Sequence, residues 1–68
     1  MEQFKDRLKL LRSEKNLSQK QLAEILGTNN SSVCDWERGR SEPDIETLIN
    51  MVKFFGVSAD YLLGIVDY

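Results

Sequence analysis

The chain has 68 residues with a net charge of −2, and it contains one cysteine and no histidine. We therefore expect one small domain, residues 1–68, that buries only roughly 60% of the surface its unfolded form exposes. The composition excludes an internal disulfide, a zinc site built on His and Cys ligands and a His-based catalytic triad, and we expect no cofactor, metal or small-molecule ligand.

Charge is unevenly distributed along the chain. Residues 1–40 contain eight Lys and Arg against six Asp and Glu, a balance of +2, whereas residues 41–68 contain one Lys against five acids, a balance of −4. Such an asymmetry permits one face to meet phosphate while the rest of the surface keeps the protein soluble. The charge pattern is compatible with a nucleic-acid partner without demonstrating one.

Nothing in the sequence indicates secretion or a membrane. Residues 1–6 lack the apolar stretch of a signal peptide, and no apolar run approaches the ~20 residues of a membrane span. The single thiol, Cys34, suits a reducing compartment. We therefore expect a cytoplasmic protein.

The first predicted helix is amphipathic. Phe4, Leu8 and Leu11 recur at i, i+4 and i+7, which is the period of an α-helix with one apolar face. The cations that lie between them, on the predicted polar face, are Lys5, Arg7, Lys9 and Arg12. Asn16 is a residue at which this helix can end.

Capping residues and glycines predict four further helices. Ser18 and Gln21 have the spacing of a capping box, and Asn29, Asp44 and Ser58 are candidate caps for the later helices. The five predicted helices cover about residues 2–15, 19–26, 30–38, 45–55 and 59–63. No segment alternates with period two, so the predicted fold class is all-α.

The second and third helices have the pattern of a helix-turn-helix. Ala23 is small enough for a helix to cross closely, Gly27 permits the positive φ of the turn, and Val33 and Trp36 point inward one turn apart. A plain helical hairpin that binds nothing would show part of this pattern. The two caps, the turn glycine, the apolar pair and the polar opposite face together favour the helix-turn-helix.

Residues across nearly the whole chain resemble one family. The residues LSQKQLAEILG at 17–27, Val33, WERGR at 36–40, Pro43 and FGVS at 55–58, followed by Leu62 and Leu63, are similar to the Cro/CI or Xre family. These proteins are phage repressors and bacterial transcriptional regulators. The resemblance implies a compact five-helix, lambda-repressor-like domain whose second helix crosses the DNA backbone and whose third helix lies in the major groove.

The third helix carries the candidate base contacts. Its outward side chains near the amino end are short and polar, and an asparagine there can bind N6 and N7 of adenine. The positions that resemble the family's base contacts are Asn30, Ser31, Ser32 and Asp35. An acid such as Asp35 lowers affinity for phosphate, but it can accept from the N4 amine of cytosine and select against other bases. The alternative is that these are ordinary solvated residues.

The candidate phosphate contacts flank the third helix. Gln19 begins the second helix, where free backbone N–H groups and the helix dipole favour an anion. The predicted phosphate contacts are Gln19, Lys20, Arg38 and Arg40, with solvated surface side chains as the alternative. Arg12 and Glu37 resemble an ion pair by which the family joins the first helix to the end of the third, and we expect that pair to be partly buried.

Two functions fit these features. The first is sequence-specific binding of double-stranded DNA as a repressor, by a homodimer on a pseudo-palindromic operator. The expected dimer surface is C-terminal and consists of Val57, Tyr61, Ile65, Val66 and Tyr68. The second is a protein-interaction module, as in antitoxins or partner-controlled regulators, which the acidic residues 41–68 and Asp35 would favour. The sequence has no nucleophile–base pair, metal cluster or phosphate loop to support an enzyme.

Overall fold

The computed structural model describes residues 3–68, and within them the chain forms five α-helices and no strand. The helices are α1 (Phe4–Glu14), α2 (Gln19–Leu26), α3 (Asn30–Arg38), α4 (Ile45–Phe55) and α5 (Ala59–Leu62). The predicted all-α, five-helix fold is confirmed, although residue 2 of the first predicted helix lies outside the described residues. After α1, Asn16 adopts φ 57°, a left-handed conformation that asparagine tolerates better than most residues.

Side-chain caps begin the last four helices. In each of them, an oxygen of the cap lies 2.9 or 3.0 Å from the backbone N–H three residues on, which satisfies one of the unpaired donors of the first turn. The four caps are Ser18, Asn29, Asp44 and Ser58. Hydrogen bonds with Thr47 lower the pKa of Asp44, so this cap stays charged at more acidic pH than a free aspartate.

The hydrophobic core draws on every helix. Each of the five helices contributes one side chain with 0% exposure, and these are Leu8, Leu22, Val33, Met51 and Leu62. Ala23 and Trp36 are also buried against this cluster, so α2 and α3 pack closely where the sequence predicts it. Such shared burial fixes the orientation of short helices that would not be stable alone.

One residue of α1 does not lie where the sequence predicts. The sequence pattern predicts that Arg7 lies on the polar face of the first helix, and this is wrong, because Arg7 is only 2% exposed. Its position, three residues after Phe4 and four before Leu11, falls on the apolar stripe of the helix. Its guanidinium reaches α5, where it donates to the carbonyl oxygen of Tyr61 at 2.6 Å, and also the segment after α5, where it donates to the carbonyl oxygen of Val66.

None of the helices in residues 3–68 is long and apolar enough to cross a membrane.

Gly27 ends α2 at φ 73°, and the Thr28 N–H returns to the carbonyl of Ala23 at 2.9 Å. A Cβ built on Gly27 would meet nothing within 4 Å, so the requirement for glycine is conformational and not steric. We expect Gly27→Ala to lower the free energy of unfolding in urea by about 1 kcal/mol, the cost of a left-handed alanine. Gly27→Asn should lower it less, since asparagine tolerates this conformation. Equal stability of the two variants would contradict this explanation.

Candidate nucleic-acid interface

The amino end of α3 projects from the helix-turn-helix. The turn of residues 27–29 joins α2 to α3, and Asn29 Oδ1 accepts from the Ser32 N–H at 2.9 Å, so the first turn of α3 is held in place. Val33, Trp36 and Glu37 are buried on the inner side of this helix. The opposite side carries the exposed residues Asn30, Ser31 and Arg38.

The predicted base contacts differ in how accessible they are. Asn30 and Ser31 are exposed, whereas Ser32 and Asp35 are half-buried. Both exposed residues lie in the first turn of α3, the end that approaches base edges in helix-turn-helix proteins. The structure thus brings Asn30 and Ser31 together at the outer edge, with Ser32 set back against Asn29.

Asp35 has a counter-charge from the same chain. Its carboxylate lies 3.9 Å from the guanidinium of Arg40, and the Arg40 N–H donates to the Asp35 carbonyl at 2.9 Å as the chain turns after α3. The side chains are 43% and 64% exposed, and an exposed pair of this kind contributes only ~0–1 kcal/mol to stability. The pair therefore affects the charge of this face more than the stability of the fold.

The predicted phosphate contacts fall into two groups. Lys20, Arg38 and Arg40 are exposed, with Lys20 at the start of α2, Arg38 at the end of α3 and Arg40 two residues after it. Gln19 is half-buried, and its Nε2 donates to Glu37 Oε1 at 3.1 Å. Glu37 thus holds the Gln19 side chain at the start of α2.

Lys5 adds a cation near the carboxyl end of α3 that the sequence did not assign. A Cβ built on Gly39 would lie 3.2 Å from Lys5 Cδ and 3.8 Å from its Nζ, so the lysine lies directly against the backbone after α3. A cation at this end of a helix interacts favourably with the helix dipole. Residues 5 and 39 come together only in the folded chain, so the sequence pattern does not indicate that Lys5 lies beside the end of α3.

A partly buried ion pair connects α1 to α3. Arg12 Nε donates to Glu37 Oε2 at 2.6 Å and a second nitrogen donates to Oε1 at 3.0 Å, with the side chains 17% and 1% exposed. Arg12 also donates to the carbonyl of Leu17 at 2.7 Å. The hydrogen bond with Glu37 raises the pKa of Arg12, against a smaller opposing effect of burial. The pair is partly buried, with the carboxylate on the inner side.

The described residues contain no group of three or more His, Cys, Asp and Glu side chains arranged to hold a metal ion. Cys34 is a free, half-buried thiol on α3.

Comparison with known proteins identifies the family. A family model described as helix-turn-helix matches residues 8–62. The chain belongs to the helix-turn-helix family. Its relatives include phage repressors and HTH-type transcriptional regulators, which confirms the resemblance to the Cro/CI (Xre) type.

Three members of this helix-turn-helix family illustrate the similarity. The HTH-type transcriptional activator BcrR of Enterococcus faecalis is 43% identical over 62 residues, which are 91% of this chain and 30% of that protein. A transcriptional regulator from Listeria innocua superposes with a TM-score of 0.89 at 38% identity, over 94% of this chain and 60% of that one. The P22 c2 repressor protein, crystallised in complex with the synthetic operator 9T, superposes with a TM-score of 0.87 at 30% identity, over 93% and 96% of the two chains.

The chain spans between 30% and 56% of the length of three curated relatives that it matches. The similarity therefore concerns the helix-turn-helix domain and not the further parts of those proteins.

Removal of the Glu37 carboxylate should destabilise this domain strongly. Glu37→Ala leaves the Arg12 guanidinium without its main partner, and breaking a buried pair from one side costs about 3 kcal/mol. Glu37→Gln, which keeps one accepting oxygen, should cost less. The measurement is the free energy of unfolding in urea at neutral pH.

The matched control is Glu24→Ala, which removes an exposed carboxylate from α2. Its effect should stay within about 0.5 kcal/mol. An effect of Glu37→Ala no larger than that of Glu24→Ala would show that the ion pair does not hold α1 to α3.

Proposed function

We propose that this protein binds double-stranded DNA sequence-specifically and acts as a transcriptional repressor. The observation that carries the proposal is the exposed polar amino end of α3, Asn30 and Ser31, on a helix whose inner side is buried. The similarity in fold to the P22 c2 repressor protein, whose crystal structure contains an operator, supports the same docking. Repression needs only occupation of the operator, whereas activation would need a further contact with the transcription machinery.

The contacts divide into those that read bases and those that position the domain. Asn30 and Ser31 would enter the major groove, where an asparagine side chain recognises adenine through N6 and N7. Ser32, in the first turn, and Asp35, in the second, would reach base edges from half-buried positions. The exposed cations Lys20, Arg38 and Arg40, and the start of α2 at Gln19, would contact phosphates on either side.

We further propose that two copies bind a pseudo-palindromic operator. Beside α5 lies a groove of about 600 Å³ whose lining includes Val57, Tyr61, Val66 and Tyr68. Tyr68, which lines this groove, is 90% exposed, and Ile65 of the same segment is 66% exposed. A groove and exposed apolar side chains in one region are what a two-fold symmetric contact needs. The two copies of α3 would then lie about 34 Å apart, one turn of DNA.

The experiment that tests this function is selection of bound duplexes from a random pool, followed by a salt titration on the selected site. Binding of DNA should weaken with salt, with log K falling by about 0.9 per log unit for each phosphate contacted. A pool without enrichment, or affinity that does not change with salt, would instead favour a protein-interaction module, to which Asp35 and the acidic residues 41–68 would be suited.

Two substitutions separate base reading from positioning. Asn30→Ala should relax the preference at one base position and cost ~1–3 kcal/mol of binding free energy. Arg40→Ala should weaken binding to all duplexes alike and reduce the salt slope by about one contact. Affinities for the selected duplex and for its single-base variants, measured at several salt concentrations, check both statements.

The matched controls are Asn50→Ala and Lys53→Ala, which remove an exposed asparagine and an exposed cation from α4. Both should leave affinity and base preference unchanged. If Asn30→Ala and Arg40→Ala had the same effect on every duplex, the division between reading and positioning would be wrong.

A further inference from the structure

A buried arginine of α1, Arg7, binds the segment that follows α5. Besides the carbonyl of Tyr61, the Arg7 guanidinium donates to the carbonyl of Val66 and to Asp67 Oδ1, the latter at 3.2 Å. The guanidinium also stacks on the Tyr61 ring, 4.3 Å from its centroid. A residue near the start of the described chain thus fixes three points near its other end.

The segment held in this way has little regular structure of its own. α5 has four residues and ends at Leu62, and residues 65–68 belong to no helix. Within the segment, the Ile65 N–H donates to the carbonyl of Asp60 at 2.9 Å. Arg7 therefore supplies the tertiary contacts that set the path of the chain beyond α5.

That path determines the shape of the groove beside α5. Val66 and Tyr68, which lie on the segment, line one part of the groove, and Val57 and Ser58, between α4 and α5, line another. Arg7 binds the carbonyl of Val66 and stacks on Tyr61. It therefore contacts two of the lining residues although it is buried and does not itself line the groove. If the segment moved away, the groove would lose that side.

An arginine is suited to this position for a geometric reason. Its planar fork presents five N–H donors in a fixed arrangement, so one side chain can bind two carbonyls and a carboxylate at once. A lysine carries the same charge but lacks the fork. An apolar side chain of similar size could fill the space, and in other proteins such replacements of buried ion pairs often keep the stability of the fold. At this position it would leave the two carbonyl groups without their N–H donors.

We propose that Arg7 is a positioning residue for self-association, which holds residues 65–68 in the conformation that a second copy of this chain binds. The proposal rests on the homodimer of the proposed function. The occupant is a second copy because the groove is lined by residues of the surface that the proposed homodimer uses, Val57, Tyr61, Val66 and Tyr68, of which Tyr68 is 90% exposed.

The test compares Arg7→Lys and Asp67→Ala with the wild-type chain. The readouts are the dimer dissociation constant from sedimentation equilibrium and the affinity for a duplex that carries one half-site of the selected operator. We expect Arg7→Lys to raise the dimer dissociation constant by about tenfold, equivalent to about 1.4 kcal/mol, and Asp67→Ala to raise it by about threefold. Half-site affinity should stay within about twofold, because a monomer binds one half-site through α3.

The matched control is Lys53→Met, which removes an exposed cation from α4 and should change neither readout. A general loss of structure would weaken the dimer and half-site binding together, and that result would overturn a positioning role. Asp67 is 95% exposed, so its substitution keeps the test decisive if Arg7→Lys does not fold.

Different outcomes would contradict the homodimer and the role of Arg7. A wild-type chain that stays monomeric, both free and on the full operator, would contradict the homodimer itself. A wild-type dimer that Arg7→Lys and Asp67→Ala leave unchanged would contradict only the role of Arg7. Should Arg7→Lys fail to fold, an unchanged dimer in Asp67→Ala overturns that role and a weakened one supports it.

Discussion

The position of α3 depends on one buried carboxylate. Glu37, 1% exposed in its side chain, accepts from Arg12 on α1 and from Gln19 at the start of α2, so three helices meet at a single group. Hydrophobic contacts alone could hold α3 in the core, but they have no direction and tolerate small rotations. Hydrogen bonds to a fixed carboxylate have a preferred direction and weaken when the helix rotates. A helix whose side chains must meet individual base edges needs that angular constraint more than it needs additional stability.

The first helix joins the two surfaces that the proposed function uses. Arg7 and Arg12 lie five residues apart on α1, which in an α-helix separates them by about 7.5 Å along the axis and places them on different sides. Arg7 reaches α5 and the segment after it, and Arg12 reaches α3. The groove and the reading helix are thus attached to the same rigid element. In a dimer this arrangement would transmit the geometry of the interface directly to the spacing of the two α3 helices.

Local features of the fold were predictable from the sequence, whereas long-range polar contacts were not. The caps at Ser18 and Asn29 and the turn at Gly27 depend on residues within a few positions of one another, and the apolar period placed Val33 and Trp36 in the core. The sequence pattern predicts an exposed Arg7 because a charged residue is expected at the surface unless its buried partners are known. The partners of Arg7 lie more than 50 residues away in the chain. The base and phosphate contacts remain predictions, since they depend on a partner and not on the fold.

Asp35 shows why the charge of the reading helix must be considered together with the turn that follows it. Because the chain bends back after α3, Arg40 comes within 3.9 Å of the carboxylate. An exposed pair at this distance contributes so little that separating it costs ~1 kcal/mol or less. If α3 enters the major groove as proposed, Asp35 can therefore leave Arg40 for a cytosine amine at small cost, while Arg40 becomes available to phosphate. Opposite a base without that donor, the carboxylate would find no partner in the groove, so Asp35 would select among bases while Arg40 contacts phosphate on any duplex.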